Sequence, residues 1–360
     1  MDEPLGIRVK AAYVSCESRT KLKTENTMKK KRILKVGSFI LAVALTLVLP
    51  GMFLKPKTMN RFHLDAGRVG VFSRIKIEPK NSIDVVVLGD SESYCSFSPM
   101  QLWEDYGYTS YVAGVPGAKI GDNYDVLKTV FARQKPKVVL LETNNLFRYQ
   151  PPNNVDAKTT RAIYKRLPFL KYHSVWKSPL SRAKGAMFQG FNVNGSVRPY
   201  MGGAYMCPST EKERIFSPNR RYFHGILRLC QKNGAKLVMY SAPSPRNYNY
   251  KKHNALKILA EKNGLSYVDL NVKAGRLEID WMSDTRDRGD HLNLAGAQKT
   301  TAFLGYYLDK TCDLTCRRNT GVATRWNRML RSYKIRTKKA EHSIWKKMND
   351  WEEEVDNEVL

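Results

Sequence analysis

Five short, mostly apolar runs, the first of them rich in β-branched residues, constrain this chain more than any other feature. They are Ile83–Leu88, Tyr108–Val112, Lys137–Leu141, Ala235–Ser241 and Ser266–Leu270, none longer than seven residues. Runs of that length and composition, bounded by Gly or Pro, read as buried strands rather than helices. Stretches with helical spacing lie between them. Pro99–Tyr106 follows Ser98 as N-cap, with Pro99 at the first helical position, and Ile120–Gln134 repeats apolar residues at Tyr124, Leu127, Val130 and Phe131. Further helices are expected over Arg221–Asn233, Asn254–Asn263 and Ala295–Leu308. Strands alternating with helices through short loops imply right-handed βαβ units around a parallel sheet. The expected fold class is therefore α/β: a three-layer α/β/α sandwich with a flavodoxin-like sheet. One polar stretch, about residues 147–219, breaks the alternation. It is long for a plain loop and is expected to be a functional insertion.

Upstream of the sheet, Val36–Leu54 runs 19 residues without a charge, close to the length that spans a bilayer core. Met28-Lys29-Lys30-Lys31-Arg32 precedes it, so the positive-inside rule leaves residues 1–35 cytoplasmic and the rest extracytoplasmic. A cleaved signal peptide is the competing reading, but no small-x-small site follows the apolar run. Met28 also has the look of a start site. The expected order is a tail (1–35), a transmembrane anchor (36–54), a connector (55–80), an α/β domain (81–316) and an extension (317–360). That extension is basic with interspersed aromatics over 317–347 and acidic from Asp350. It reads as an amphipathic helix on a membrane surface or as a solvated, partly disordered tail. The net charge of +28 would suit nucleic acid. No nucleic-acid-binding signature accompanies it, however, and an anionic lipid or polymer partner fits equally well. Cys16, Cys95, Cys207, Cys230, Cys312 and Cys316 have no zinc-ribbon spacing. They read as small apolar residues, with a disulfide among the last five left open. No metal and no cofactor is expected.

Chemistry concentrates at two places. Gly89-Asp90-Ser91 follows the first strand directly, and ligands in open parallel sheets bind beyond the carboxyl ends of the strands. A Ser there needs a base to become nucleophilic. His291, in Asp287-Arg288-Gly289-Asp290-His291 before the last helix, supplies one, and a nearby carboxylate would fix its tautomer. Asp287 is the first choice for that acid, with Asp290 as alternative. Gly89 and Asp90 are expected to support the turn. Asn145, His253 and Arg246 are candidate substrate contacts, while Cys95 is expected to pack rather than react.

Gly89-Asp90-Ser91 and the Asp287–His291 segment together resemble the first and last blocks of the SGNH/GDSL hydrolase family. The resemblance extends in order over residues 81–310. It implies an oxyanion hole from the Ser91 backbone N–H, Gly117 in Val115-Pro116-Gly117-Ala118, and Asn144 in Glu142-Thr143-Asn144-Asn145. Two departures stand out: Arg288 occupies the position three before His291, where the family has its acid, and no Gly precedes Asn144. The anchor further resembles that of the SGNH-like proteins accompanying membrane-bound O-acyltransferases, of the lipoteichoic-acid D-alanylation and alginate O-acetylation type. That implies a cell-membrane, extracytoplasmic esterase or O-acyltransferase acting on a cell-envelope polysaccharide through a Ser91 acyl-enzyme. The alternative is a non-catalytic shell that binds a polysaccharide or an acyltransferase partner.

Overall fold

The computed structural model describes residues 5–53, 75, 78–149, 163, 187–272 and 277–359. It divides into two units, one of them containing residues 1–57 and the other containing the sheet. In the first, α1 runs over Leu5–Phe53. The expected anchor falls on its last third, with Phe39, Ile40 and Leu41 all at least 60% exposed. No helix among the described residues is long and apolar enough to cross a membrane. The span expected at Val36–Leu54 thus has a helix beneath it up to Phe53, while Leu54 and residues 55–74 of the connector lie outside the described residues.

In the second unit the elements are β1 (Val85–Leu88), α2 (Ser91–Ser96), α3 (Pro99–Tyr106), β2 (Ser110–Val112), α4 (Ile120–Phe131), β3 (Val138–Glu142), the hairpin strands β4 (Met187–Phe188) and β5 (Phe191–Asn192), α5 (Ser217–Lys232), β6 (Lys236–Ser241), α6 (Tyr250–Lys262), β7 (Ser266–Asp269), α7 (Leu294–Thr311) and α8 (Ala323–Val359). The main sheet is all parallel with order β2-β1-β3-β6-β7. Counting only its own strands this is 2-1-3-4-5, the flavodoxin-like order, whose direction reverses between β1 and β3. Alternation along each strand makes two cores. Val86, Leu88, Val139 and Leu141 face α4, α5 and α6, through residues such as Leu127, Phe223 and Leu256. Val85, Val87, Val138 and Leu140 face Phe97, Leu102, Leu304 and Leu308 on the other side. Both faces are covered at the centre of the sheet, so β1 is apolar throughout and β3 up to Leu141, instead of alternating with polar residues.

Local chemistry explains the element ends. Ser98 caps α3 by accepting from the Gln101 N–H, and Asn249 caps α6 by accepting from the Lys252 N–H at 3.0 Å, which starts that helix at Tyr250 rather than Asn254. Asn293 does the same for α7. Within the expected insertion, residues 150–162 and 164–186 lie outside the described residues. Its last part contains the β4–β5 hairpin, where Gln189 accepts a backbone bond from Val112 at 2.8 Å.

The C-terminal extension departs from the reading of a solvated, partly disordered tail. Residues Ala323–Val359 form one helix whose apolar stripe is spent on the domain itself. Trp326 is 1% exposed and sits 5.3 Å from the Trp103 ring, while the Tyr333 hydroxyl receives a bond from Ser98 at 3.0 Å. Upstream, Arg317 pairs in a fork with the buried Asp84 carboxylate, both contacts at 2.6 Å, and Arg325 pairs with buried Glu78. Trp326 and Tyr333, two of the interspersed aromatics, are core residues of a helix that completes the domain, while Trp345 stays exposed.

Candidate active site

β1 ends at Leu88, and the chain turns at once into α2. Gly89 is required there, because an added Cβ would stand 2.7 Å from Ser93 Cβ and 2.8 Å from Glu142 Cβ. Asp90 caps α2 by accepting from the Glu92 N–H at 3.0 Å. Ser91, the next residue, is half-buried and so remains open to a ligand at the carboxyl edge of the sheet. Tyr94 lies one turn further along α2, and burial pushes its phenol up. Cys95 is buried, and burial pushes its thiol well up, so it is no competing nucleophile.

The loop before α7 presents His291. Its Nδ1 lies 2.7 Å from Asp287 Oδ2, and its backbone N–H donates to Asp287 Oδ1 at 2.6 Å. Asp290 Oδ2 stands 3.5 Å from the same Nδ1, beyond hydrogen-bonding geometry. Burial pushes the Asp287 carboxyl up, but the bonds from His291 outweigh it and hold the group below the usual carboxylate range. An Nδ1 proton shared with Asp287 leaves Nε2 as the proton acceptor. The one-residue offset noted in the sequence has a backbone cause. Arg288 at φ +64° and Gly289 at φ +82° are both left-handed, and this curl brings an acid four residues upstream onto the ring.

Asn247, in the loop after β6, ties the two segments together. Its Nδ2 donates to Glu92 Oε1 at 2.7 Å and to Asp290 Oδ1 at 2.5 Å. Ser244 and Arg246 of the same loop hold the Gly289–Asp290 backbone. Ligand atoms of Glu92, Asp290 and His291 therefore fall within 4.8 Å of one another. Each of these groups already has a protein partner, so the set reads as a hydrogen-bonded cluster. Glu92 is buried beside Asp90 and Glu142; burial, then these two charges, push its carboxyl well above the usual range. Burial, then the Asp90 charge, also push Glu142 well up. Burial also raises Asp90, against the opposing pull of Arg148, whose Nη2 is 2.9 Å from Asp90 Oδ2.

The remaining expected residues are placed as follows. Gly117 lies in the turn after β2 with φ +59°. Asn144 is next to the site, and its Nδ2 donates to Asp90 Oδ2 at 3.2 Å, which commits one of its two N–H donors. Asn145 is fully buried, and neither side-chain polar atom finds a partner, so its placement does not fit a direct substrate contact. His253 belongs to a separate network, with Nδ1 2.6 Å from Asp269, which also accepts from Tyr248 at 2.7 Å. Arg246 is exposed. Glu92, Asn247, Arg148 and Tyr94 were not singled out from the sequence. Tyr94 alone left a trace there, since its i, i+3 spacing from Ser91 on a helix puts the two side chains together.

The fold and site thus define an α/β/α protein with a Ser91 turn and an Asp287–His291 pair at the carboxyl edge of a flavodoxin-like sheet. Neither a known family model nor a curated protein matches the sequence. Among solved structures, the chain is similar to an acylhydrolase from Bacteroides fragilis (14% identity, 68% of this chain, 97% of that one, TM-score 0.38). It is also similar to a GDSL-like lipase from Bacteroides thetaiotaomicron (12%, 68%, 98%, 0.36) and to the lipase/acylhydrolase from Enterococcus faecalis (13%, 65%, 98%, 0.27). At such identities these likenesses say nothing of what this chain acts on, and its fold is defined by its own strand order.

Proposed function

We propose that the chain is an SGNH-type serine esterase or O-acyltransferase, membrane-anchored through α1 and facing outward, that acts on acyl esters of a cell-envelope polysaccharide. The observation that carries the reading is the Asp287–His291 pair, tied through Asp290, Asn247 and Glu92 to the turn that presents Ser91. Ser91 Oγ attacks the ester carbonyl as its proton passes to His291 Nε2. Collapse of the tetrahedral adduct returns that proton to the departing alcohol and leaves Ser91 acylated. Water or a sugar hydroxyl then attacks the acyl carbon, giving its proton to His291, and Ser91 is released. Asp287 stabilises the imidazolium through both steps. The basic composition and the apolar run of α1 favour an anionic envelope setting, with a membrane-bound O-acyltransferase as acyl donor.

A second reading, a non-catalytic shell, draws on the bond from Asn144 to Asp90, which leaves one N–H of that amide for an oxyanion. Hydrolysis of p-nitrophenyl acetate by the full chain, with Ser91→Ala and His291→Ala as controls, separates the two. Loss of turnover by at least about a thousandfold in both variants is expected, together with fluorophosphonate labelling of Ser91. A wild-type chain with neither turnover nor labelling would sink the enzyme reading.

A further inference from the structure

The outward face of α8 has no role in the Ser91 chemistry and no cover in the domain. Its inward face is settled by burial: Trp326, Tyr333, Thr337, Ala340 and Ile344 are buried, a spacing of seven, four, three and four residues that traces one stripe. On the opposite side Arg331, Ile335, Lys338, Lys339, Trp345 and Lys346 are all exposed, with Ile335 at 65% and Trp345 at 60%. Taking Ile335 as origin at 100° per residue, the four cations fall within about 60° of it and Trp345 within about 80°. From Arg331 to Lys346 the stripe covers about 22 Å at 1.5 Å per residue. None of the four cations has a carboxylate partner among the described residues. The stripe ends where the helix turns acidic at Asp350.

We infer that this face docks the domain on an anionic phospholipid bilayer. One observation selects a bilayer over another polyanion. The cations are interleaved with exposed Trp345 and Ile335, and Trp favours the headgroup level of a bilayer, where an indole has both apolar and polar neighbours. The apolar stripe of the same helix is consumed by the domain, so α8 cannot insert; contact is peripheral, through charge and two shallow side chains. Each Lys or Arg near an anionic leaflet adds roughly tenfold or less to the partition constant, and the contribution decays within a Debye length. Docking of this kind would hold the domain close to the surface independently of α1.

The test reads Trp345 itself, because α1 can also associate with lipid. The full chain is mixed with vesicles of phosphatidylcholine containing about 30% brominated phosphatidylglycerol, or with brominated phosphatidylcholine alone. Subtracting the Trp345→Phe signal isolates Trp345 among six tryptophans. Quenching is expected only with the anionic vesicles. It is expected to vanish near about 0.5 M NaCl, with binding about a hundredfold weaker in Arg331→Gln/Lys338→Gln/Lys339→Gln/Lys346→Gln. An unchanged thermal midpoint shows that variant to be folded, and the salt series on the wild type tests the idea without it. Vesicle association with Trp345 unquenched, or quenching indifferent to salt and charge, overturns the inference. So does a DNA duplex that displaces the chain from the vesicles at equal phosphate concentration.

Discussion

Replacing Asp287 by Asn discriminates between the two acids beside His291. The side chain is isosteric, but its amide offers no charge to the ring. Two quantities are at stake. The bond at 2.7 Å is charge-assisted, and such bonds are worth about 1.5–3 kcal/mol. The carboxylate also stabilises the imidazolium formed in each step. At about 4 Å and an effective dielectric of about 20 that attraction is about 4 kcal/mol, cut substantially by solvent because the Asp287 side chain is 33% exposed. A combined loss of about 3–4 kcal/mol corresponds to a fall in kcat/KM of two to three decades, at about 1.4 kcal/mol per decade. Asp290→Asn removes a carboxylate 3.5 Å from the ring that already bonds Asn247. It should lower kcat/KM less than about fivefold, since no hydrogen bond to the ring is lost. p-Nitrophenyl acetate turnover measured for both variants, alongside the rate of fluorophosphonate labelling, gives the comparison. If Asp290→Asn is the more damaging change, the assignment of the orienting acid is wrong.

Two further outcomes test the energetics. Glu92 holds its proton in the folded chain above the pH where an exposed Glu, at 4.5, has lost it. Its contribution to stability is therefore present at low pH and lost as pH rises toward the folded value. Glu92→Gln, which cannot ionise, should match the wild type in thermal midpoint near about pH 4 and gain on it steadily toward about pH 8; a gap that is flat or narrows with pH contradicts the assignment. Trp326→Ala empties a site that is 1% exposed against Trp103 and should cost about 3–5 kcal/mol in denaturant unfolding. A solvated extension would lose less than about 0.5 kcal/mol.

What the sequence determined by itself is whatever short-range physics writes into consecutive residues. Runs such as Val85–Leu88 and Val138–Glu142 are buried on both faces, so they stand out as continuous apolar segments. Ser98 and Asn293 cap their helices through bonds to residues two or three positions away. The turn at Gly89-Asp90-Ser91 and the His291 loop were legible for the same reason, being punctuated by Gly and Asp at strand and helix ends.

Tertiary structure alone decided how these pieces meet. Asp287 was already the first choice from the sequence, but the left-handed φ values at Arg288 and Gly289 that seat it on His291 are stated by no spacing rule. The bond from Asn144 to Asp90 depends on two loops from different strands being brought within 3.2 Å. Only tertiary packing buries Glu92 beside Asp90 and Glu142 and pushes its carboxyl well above the usual range. The period of α8 revealed an apolar stripe and a basic one, yet periodicity is blind to what lies opposite. Trp103 and Ser98, more than 200 residues earlier in the chain, turned the aromatic stripe inward and left the cations facing out.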